Sequence, residues 1–176
     1  MMFLKTSFKN LATALILISF SCDGPTSLPP LSEAEIQQKL VAANKIMVAH
    51  ESAAIDSFIA KHRYDMMRKG SGLRIEKVMN GTGRKVTLED TLNLEHKIFL
   101  LSGSLCYQSN TDSLLTMVMH PGSQIKGIEE ALMDMSEGDK VRLVIPSYLA
   151  FGMLGDQNKI PPASPLFVEL NLIEIK

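Results

Sequence analysis

Apolar residues along this chain change their spacing part-way, and the change divides it. From Ile36 they recur at Leu40, Ala43 and Met47, then at Ala54, Ile55, Phe58 and Ile59, mostly three or four apart. That spacing lines one face of a helix. Ser32 with Glu35 forms a capping-box pattern, and Glu33 and Glu35 put negative charge at the positive end of the helix dipole. No Gly or Pro occurs from Leu31 to Lys69. The pattern predicts a helix from Glu33 to about His62, ~45 Å long at 1.5 Å per residue. His50-Glu51-Ser52 interrupts the apolar stripe, so two helices or one kinked helix also fit. Packing against the chain's own sheet and projecting as an arm for dimerisation or for cradling another chain both stay open.

From Tyr64 the period becomes alternating. Leu73, Ile75 and Val78 suggest a strand, closed by the turn Asn80-Gly81-Thr82-Gly83. Thr91 to Leu101 puts Leu92, Leu94, His96, Ile98 and Leu100 on one face, and Ser102-Gly103-Ser104 turns it. Leu114 to Met119 reads as a short strand ended by His120-Pro121-Gly122. Gly127 to Met135 reads as a short helix with Ile128, Leu132 and Met135 inward. Two further alternations, Val141, Leu143, Ile145 and Leu166, Val168, Leu170, Leu172, complete the pattern. Strands around one short helix predict an α+β domain, an antiparallel sheet wrapped on that helix.

Between the last two strands lies a loop of about 15–20 residues, long enough to suggest function. It is apolar where a solvated loop is polar, with Leu149, Ala150, Phe151, Met153, Leu154 and Ile160. Such a loop forms the wall or lid of a pocket, or else folds back to cap its own core.

The chain begins with Lys5 and Lys9, an apolar run Leu11 to Phe20, and then Ser21-Cys22. About ten apolar residues are too few to cross a bilayer core of ~30 Å as a helix. The arrangement looks like a bacterial lipoprotein signal over residues 1–21, with Cys22 as the lipid attachment point. Ser19 stands where that pattern prefers leucine, and cleavage by an ordinary signal peptidase or an uncleaved anchor remains the alternative. Asp23 to Pro30 is Pro-rich and polar, so residues 22–31 read as a tether. With Cys22 acylated, Cys106 is left alone, without an intrachain disulfide partner and in apolar company.

A formal charge of −1 with no basic block argues against nucleic-acid binding. The four histidines are scattered, and neither a zinc motif nor a phosphate-binding or dinucleotide glycine loop occurs, so no metal and no cofactor is expected.

Ile145-Pro146, Ala150-Phe151-Gly152, Ile160-Pro161-Pro162 and the closing strand resemble the C-terminal half of the FKBP family of peptidyl-prolyl cis/trans isomerases. A second segment, Ile125, Gly127, Ile128, Glu129, Leu132, Met135 and Gly138-Asp139-Lys140, precedes them in the family's order. The similarity covers residues 71–176, with a helical segment 32–70 ahead of it. Gly155-Asp156 followed by Asn158-Lys159-Ile160 further resembles FKBP-like lipoproteins associated with gliding motility.

The resemblance implies an FKBP-like fold and a mainly apolar site for a prolyl ring. Carried over by position, Ile125 supplies a backbone N–H for a substrate carbonyl, and Ile128 lies at the pocket floor. Tyr107, Phe151, Ile160 and Val168 complete the lining, Phe151 in place of a tyrosine and Val168 in place of an aromatic. With His96 matched to the family's histidine, Lys97 falls where a tyrosine is expected, Gln108 where an aspartate is, and Phe99 where a glycine is. Leu115 replaces another aromatic. The expected partners are proline-containing unfolded or exported polypeptides at the bacterial cell envelope. Three readings stay open: a prolyl isomerase of reduced activity, an FKBP-fold binding module of a surface or motility complex, and an anchored domain whose cavity is filled by its own side chains.

Overall fold

The computed structural model of the chain describes residues 31–109, 112–122 and 124–176. The predicted signal segment 1–21, Cys22 and the tether as far as residue 30 lie outside the described residues.

One continuous helix, α1, runs Glu33–His62. The Ser32 hydroxyl accepts from the Glu35 N–H at 3.3 Å while Glu35 Oε2 accepts from the Ser32 N–H at 2.9 Å, so the capping box forms as the sequence predicts. Arg63 ends the helix in the left-handed conformation, φ 57°. His50-Glu51-Ser52 neither breaks nor ends it.

Seven strands follow: β1 Met67–Arg68, β2 Arg74–Met79, β3 Thr91–Leu100, β4 Leu105–Gln108, β5 Leu115–Val118, β6 Lys140–Ile145 and β7 Leu166–Ile175. They form one antiparallel sheet ordered β1-β2-β6-β7-β3-β4. Strand β5 also pairs with β3, along Thr91–Leu94, while β4 takes the other half of the same edge. Register shifts at Lys77/Met79, Asn93/Leu94 and Ile98/Phe99 mark where strands bend.

Alternation along β6 and β7 builds two apolar clusters, one per face. Leu143, Ile145, Leu166, Val168, Leu170 and Leu172 face the short helix α2, Lys126–Leu132, whose Ile128, Ala131 and Leu132 are buried. Val144 and Phe167, opposite each other in the register, face the other way and bury Ile55 of α1. Phe58, Ile59, Tyr64 and Phe99 close around them, with Tyr64 stacked on Phe167 at 5.4 Å. The C-terminal half of α1 therefore packs on its own sheet. From Leu31 to His50 every residue is exposed.

Helix α2 meets β6 at Gly127, where the absence of a side chain leaves room for Ile145. A Cβ there would stand 2.4 Å from Ile145 Cγ2. The turn at Asn80–Gly83 is held from below by Asp139, buried, whose carboxylate accepts from the Gly81 and Ser136 N–H groups, both at 2.7 Å, and from Lys77 at 2.9 Å. Burial pushes that carboxyl up, but Lys77 and the two N–H groups outweigh it and hold it below the ordinary aspartate range.

Gly127→Ala should destabilise the protein by about 1–3 kcal/mol in urea unfolding, the usual cost of forcing extra volume into a close-packed contact. A value near zero would mean that α2 is free to move off Ile145.

Candidate active site

The six residues singled out in the sequence come from four elements and meet in one apolar cluster. Ile128, Ile160 and Val168 are buried in it (5%, 2% and 0% exposed), and Tyr107, Ile125 and Phe151 are partly buried against it. Ile125 is the N-cap of α2, in extended conformation (φ −64°, ψ 141°). Its carbonyl accepts from the Ile128 and Glu129 N–H groups, and its own N–H has no acceptor among the described residues. Glu129 reaches back to the Gln124 N–H at 2.9 Å, which fixes the backbone just ahead of Ile125.

Phe151 lies on the long connection from β6 to β7, residues 146–165. That connection opens with a short 3-10 turn, Ser147–Leu149, and passes through Gly152 and Gly155, both at positive φ (61° and 67°). At Gly155 a Cβ would meet the Ile160 carbonyl at 2.2 Å, so only glycine lets the loop fold back this tightly.

Asp156 ties the far end of the loop. One carboxylate oxygen accepts from the Asn158 and Ile160 N–H groups at 2.9 and 2.7 Å, and the other accepts from the Tyr107 hydroxyl. Lys159 adds a bond to the Cys106 carbonyl at 2.9 Å, and its ammonium lies 5.1 Å from the centre of the Tyr107 ring. The loop is thus fastened to β4 through Tyr107 and Cys106.

In the β ladder Ile98 stands directly opposite both Tyr107 and Val168, which puts it inside the same apolar row. The motif comparison passed over it in favour of Lys97. The structure corrects that assignment. Lys97 is exposed and pairs in register with Gln108 on one side and Glu169 on the other, on the face turned away from α2. Neither Lys97 nor Gln108 faces the apolar row of the site. Phe99 shares that outer face and packs 5.9 Å from Phe167. Leu115 is half-buried against the inner cluster. Among the described residues, cavities also open on the outer face by His96, Lys97 and Ser109, between α1 and β1 by Val48 and Arg68, beside Phe58 and Tyr64, and, smaller, between Glu51, Arg74, Pro146 and Tyr148.

Apart from the Tyr107 hydroxyl on Asp156, the arrangement sets no nucleophile beside a base among the described residues. It offers an apolar surface, one aromatic ring on a tethered loop, and a backbone donor at a helix start.

The family model for FKBP-type peptidyl-prolyl cis-trans isomerases matches residues 82–173, a little over half of the chain. The chain belongs to this family. Among FKBP relatives it is 35% identical over 112 residues to the macrophage infectivity potentiator of Trypanosoma cruzi, covering 64% of this chain and 57% of that protein. It is 34% identical over 89 residues to peptidyl-prolyl cis-trans isomerase FKBP11 of Bos taurus, covering 51% and 44%. The chain therefore spans about half the length of these two relatives. The crystal structure of FkpA from Escherichia coli superimposes with a TM-score of 0.63 at 29% identity, covering 83% of this chain and 74% of that one. That coverage exceeds the family-model match, in keeping with an FKBP-like domain preceded by a helix.

The Tyr107–Asp156 bond defines a pH window. Asp156 accepting its hydrogen bond pushes the Tyr107 phenol up. Burial works to raise the Asp156 carboxyl, but bonds from Tyr107 and the loop N–H groups keep it below the ordinary range. A depressed carboxyl supports the fold above its unfolded pKa and loses that support as pH falls through the folded one. A raised phenol supports it below its unfolded pKa and loses that support as pH rises through the folded one. The tether should hold between these limits. Spectrophotometric titration of the three tyrosines should show a late step that Tyr107→Phe removes and Asp156→Asn moves to lower pH. An identical curve for Asp156→Asn would show that the bond is not made in solution.

Proposed function

We propose that the protein is a working prolyl isomerase whose substrates are proline-containing segments of unfolded or exported polypeptides. The X–Pro bond turns over a barrier of ~18–20 kcal/mol because twisting it breaks amide resonance. The twisted amide has less charge separation than the planar one, so an apolar, poorly hydrated surface favours it. The Ile125 N–H holds a neighbouring carbonyl while the ring turns against Phe151, Tyr107 and the buried Ile128 and Ile160. No proton or electron pair has to move. What carries this reading is that the six residues belong to one apolar cluster, with an Ile125 N–H that has no acceptor among the described residues.

One observation favours the alternative, a binding module with little turnover. Val168 has no exposed surface, which leaves less of the predicted lining in contact with a ligand. Assembly of a surface or motility complex belongs to that alternative.

The purified protein, at micromolar concentration, should accelerate a refolding reaction limited by proline isomerisation. Ile125→Arg should abolish the acceleration and leave the circular dichroism spectrum intact. No acceleration over a roughly hundredfold concentration range would favour the binding module.

The same proposal places the protein at the bacterial cell envelope, exported and held to the membrane by lipid on Cys22. It makes the arm of α1 a homodimer contact. Supporting the dimer, the exposed half of α1 displays Ile36, Leu40, Val41, Ile46, Met47 and Val48, between 42% and 71% exposed, and a second copy of that arm would cover them. Sedimentation should give a dimer that Leu40→Glu with Met47→Glu converts to monomer, and fatty-acid labelling should vanish in Cys22→Ala. A monomeric wild type, or labelling that survives, would remove the respective claim.

A further inference from the structure

Helix α1 makes two separate polar attachments to the domain. The first runs to Arg74, a buried residue on β2. Its guanidinium donates to Asp56 at 2.8 Å, to the Ser52 hydroxyl at 3.0 Å and to the Gly72 carbonyl at 2.5 Å. This group joins the helix to the sheet; it shares a small cavity with Pro146 and Tyr148, but none of its hydrogen bonds goes to the loop.

The second attachment does. Glu51 Oε1 accepts from the Ser147 N–H at 2.5 Å, and Oε2 accepts from the Ser147 hydroxyl at 2.7 Å. Ser147 is buried directly after Pro146, where β6 ends and the long loop begins. Its carbonyl in turn accepts from the N–H of Ala150 at 3.0 Å and of Gly152 at 2.8 Å, the two neighbours of Phe151. The Gly152 carbonyl then takes the N–H of Ala163, at the returning end of the loop, at 2.9 Å. All three polar groups of Ser147 are thus occupied: two by one carboxylate of α1, the third by the backbone on either side of Phe151.

A charged acceptor makes these bonds stronger than neutral ones, and they hold a segment that no strand pairing fixes. Asp156 and Lys159 fasten the far end of the loop, and at the near end only the Glu51 and Tyr148 bonds among those of the described residues join it to other elements through side chains. The position of the Phe151 ring relative to Ile125 depends on that segment.

We propose that Glu51 is a positioning residue of the isomerase site, holding the Phe151 wall from α1 through Ser147. The inference rests on the isomerase reading given above, and it makes α1 part of the working domain.

The test compares Glu51→Ala with Asp56→Ala in the purified full chain. Both loosen α1 at neighbouring turns, but only the first touches the loop. Glu51→Ala should lower kcat/KM for a proline tetrapeptide roughly tenfold, the loss typical of a misplaced binding surface. Glu51→Gln, which can still accept the N–H and meet the hydroxyl, should recover to within about threefold of wild type. Asp56→Ala should lower Tm and leave kcat/KM within about twofold. Unchanged activity in Glu51→Ala, or equal losses in Glu51→Ala and Asp56→Ala, would overturn the proposal. Should Glu51→Ala fail to fold, Ser147→Ala removes the hydroxyl arm alone, and its activity falling or holding decides the matter in the same way. A wild type without isomerase activity sinks the function reading alone. Positioning is then read from amide hydrogen exchange over residues 147–152. Faster exchange in Glu51→Ala but not in Asp56→Ala supports it, and equal exchange in the two refutes it.

Discussion

The approach of α2 to β6 at Gly127 is the constraint from which the geometry of the site follows. With a Cβ excluded there by Ile145, the helix lies close enough for Ile128, Ala131 and Leu132 to be buried against the sheet. Ile125 stands two residues before that contact, at the helix start, where backbone N–H groups are left over. Ile145 stands directly before Pro146 and Ser147, where the Phe151 loop departs. A single van der Waals contact therefore sets the distance between the backbone donor and the aromatic wall. Burial of this kind is non-directional and stabilises by roughly 25 cal/mol per Å² of apolar surface. Directionality has to come from elsewhere, and it comes from the hydrogen bonds at the two ends of the loop.

The sheet also has a second covered face. Strands β6 and β7 alternate so strictly that each supplies both clusters, Leu143 and Val168 toward α2, Val144 and Phe167 toward α1. The aromatic group around Phe167 shields this outer face, with Arg142 5.1 Å above the Tyr64 ring. Beyond it the outer face becomes polar: Gln108, Lys97, Glu169, Arg142 and Glu76 are successive register partners across five strands. The division explains why half of α1 is bound and half is not. The outer face is apolar only where Ile55, Phe58 and Ile59 reach it.

Much of this was legible in the sequence, for reasons of periodicity. The extent of α1, its capping box and the alternation of β3, β6 and β7 are local signals, and local signals decided them. So did the two spaced motifs that brought Ile125, Ile128, Phe151 and Ile160 together. What the sequence hid depends on contacts between distant residues. Lys97 was set in the pocket by its position beside His96, and the bulges along β3 decide which side chains face α2; Ile98 takes that place. Glu51 read only as an interruption of an apolar stripe. The same interruption supplies the polar residues that reach Ser147 and Arg74, which lie 96 and 22 positions away in the chain.

The departures from the family pattern acquire a common explanation in this geometry. Lys97 and Gln108, matched by motif to a tyrosine and an aspartate of the family, both face away from the site, and Ile98 rather than Lys97 stands in the apolar row. Tyr107 of β4 meets Asp156 of the loop, a hydroxyl–carboxylate bond that fastens the loop to the sheet. Together with Glu51 and the Tyr148 hydroxyl on the Ser71 carbonyl at the other end, this anchors the wall in different elements, α1 and the segment before β2 at one end and β4 at the other. A wall held in this way is stiff only while both ends are fastened, because the glycines at 152 and 155 leave the middle free to bend. The smaller side chain at Val168 acts in the same direction, since a lining with less ring surface there leaves more of the site's aromatic surface to Phe151 and Tyr107. Rigidity of the site then resides in the loop's fastenings rather than in the sheet beneath it.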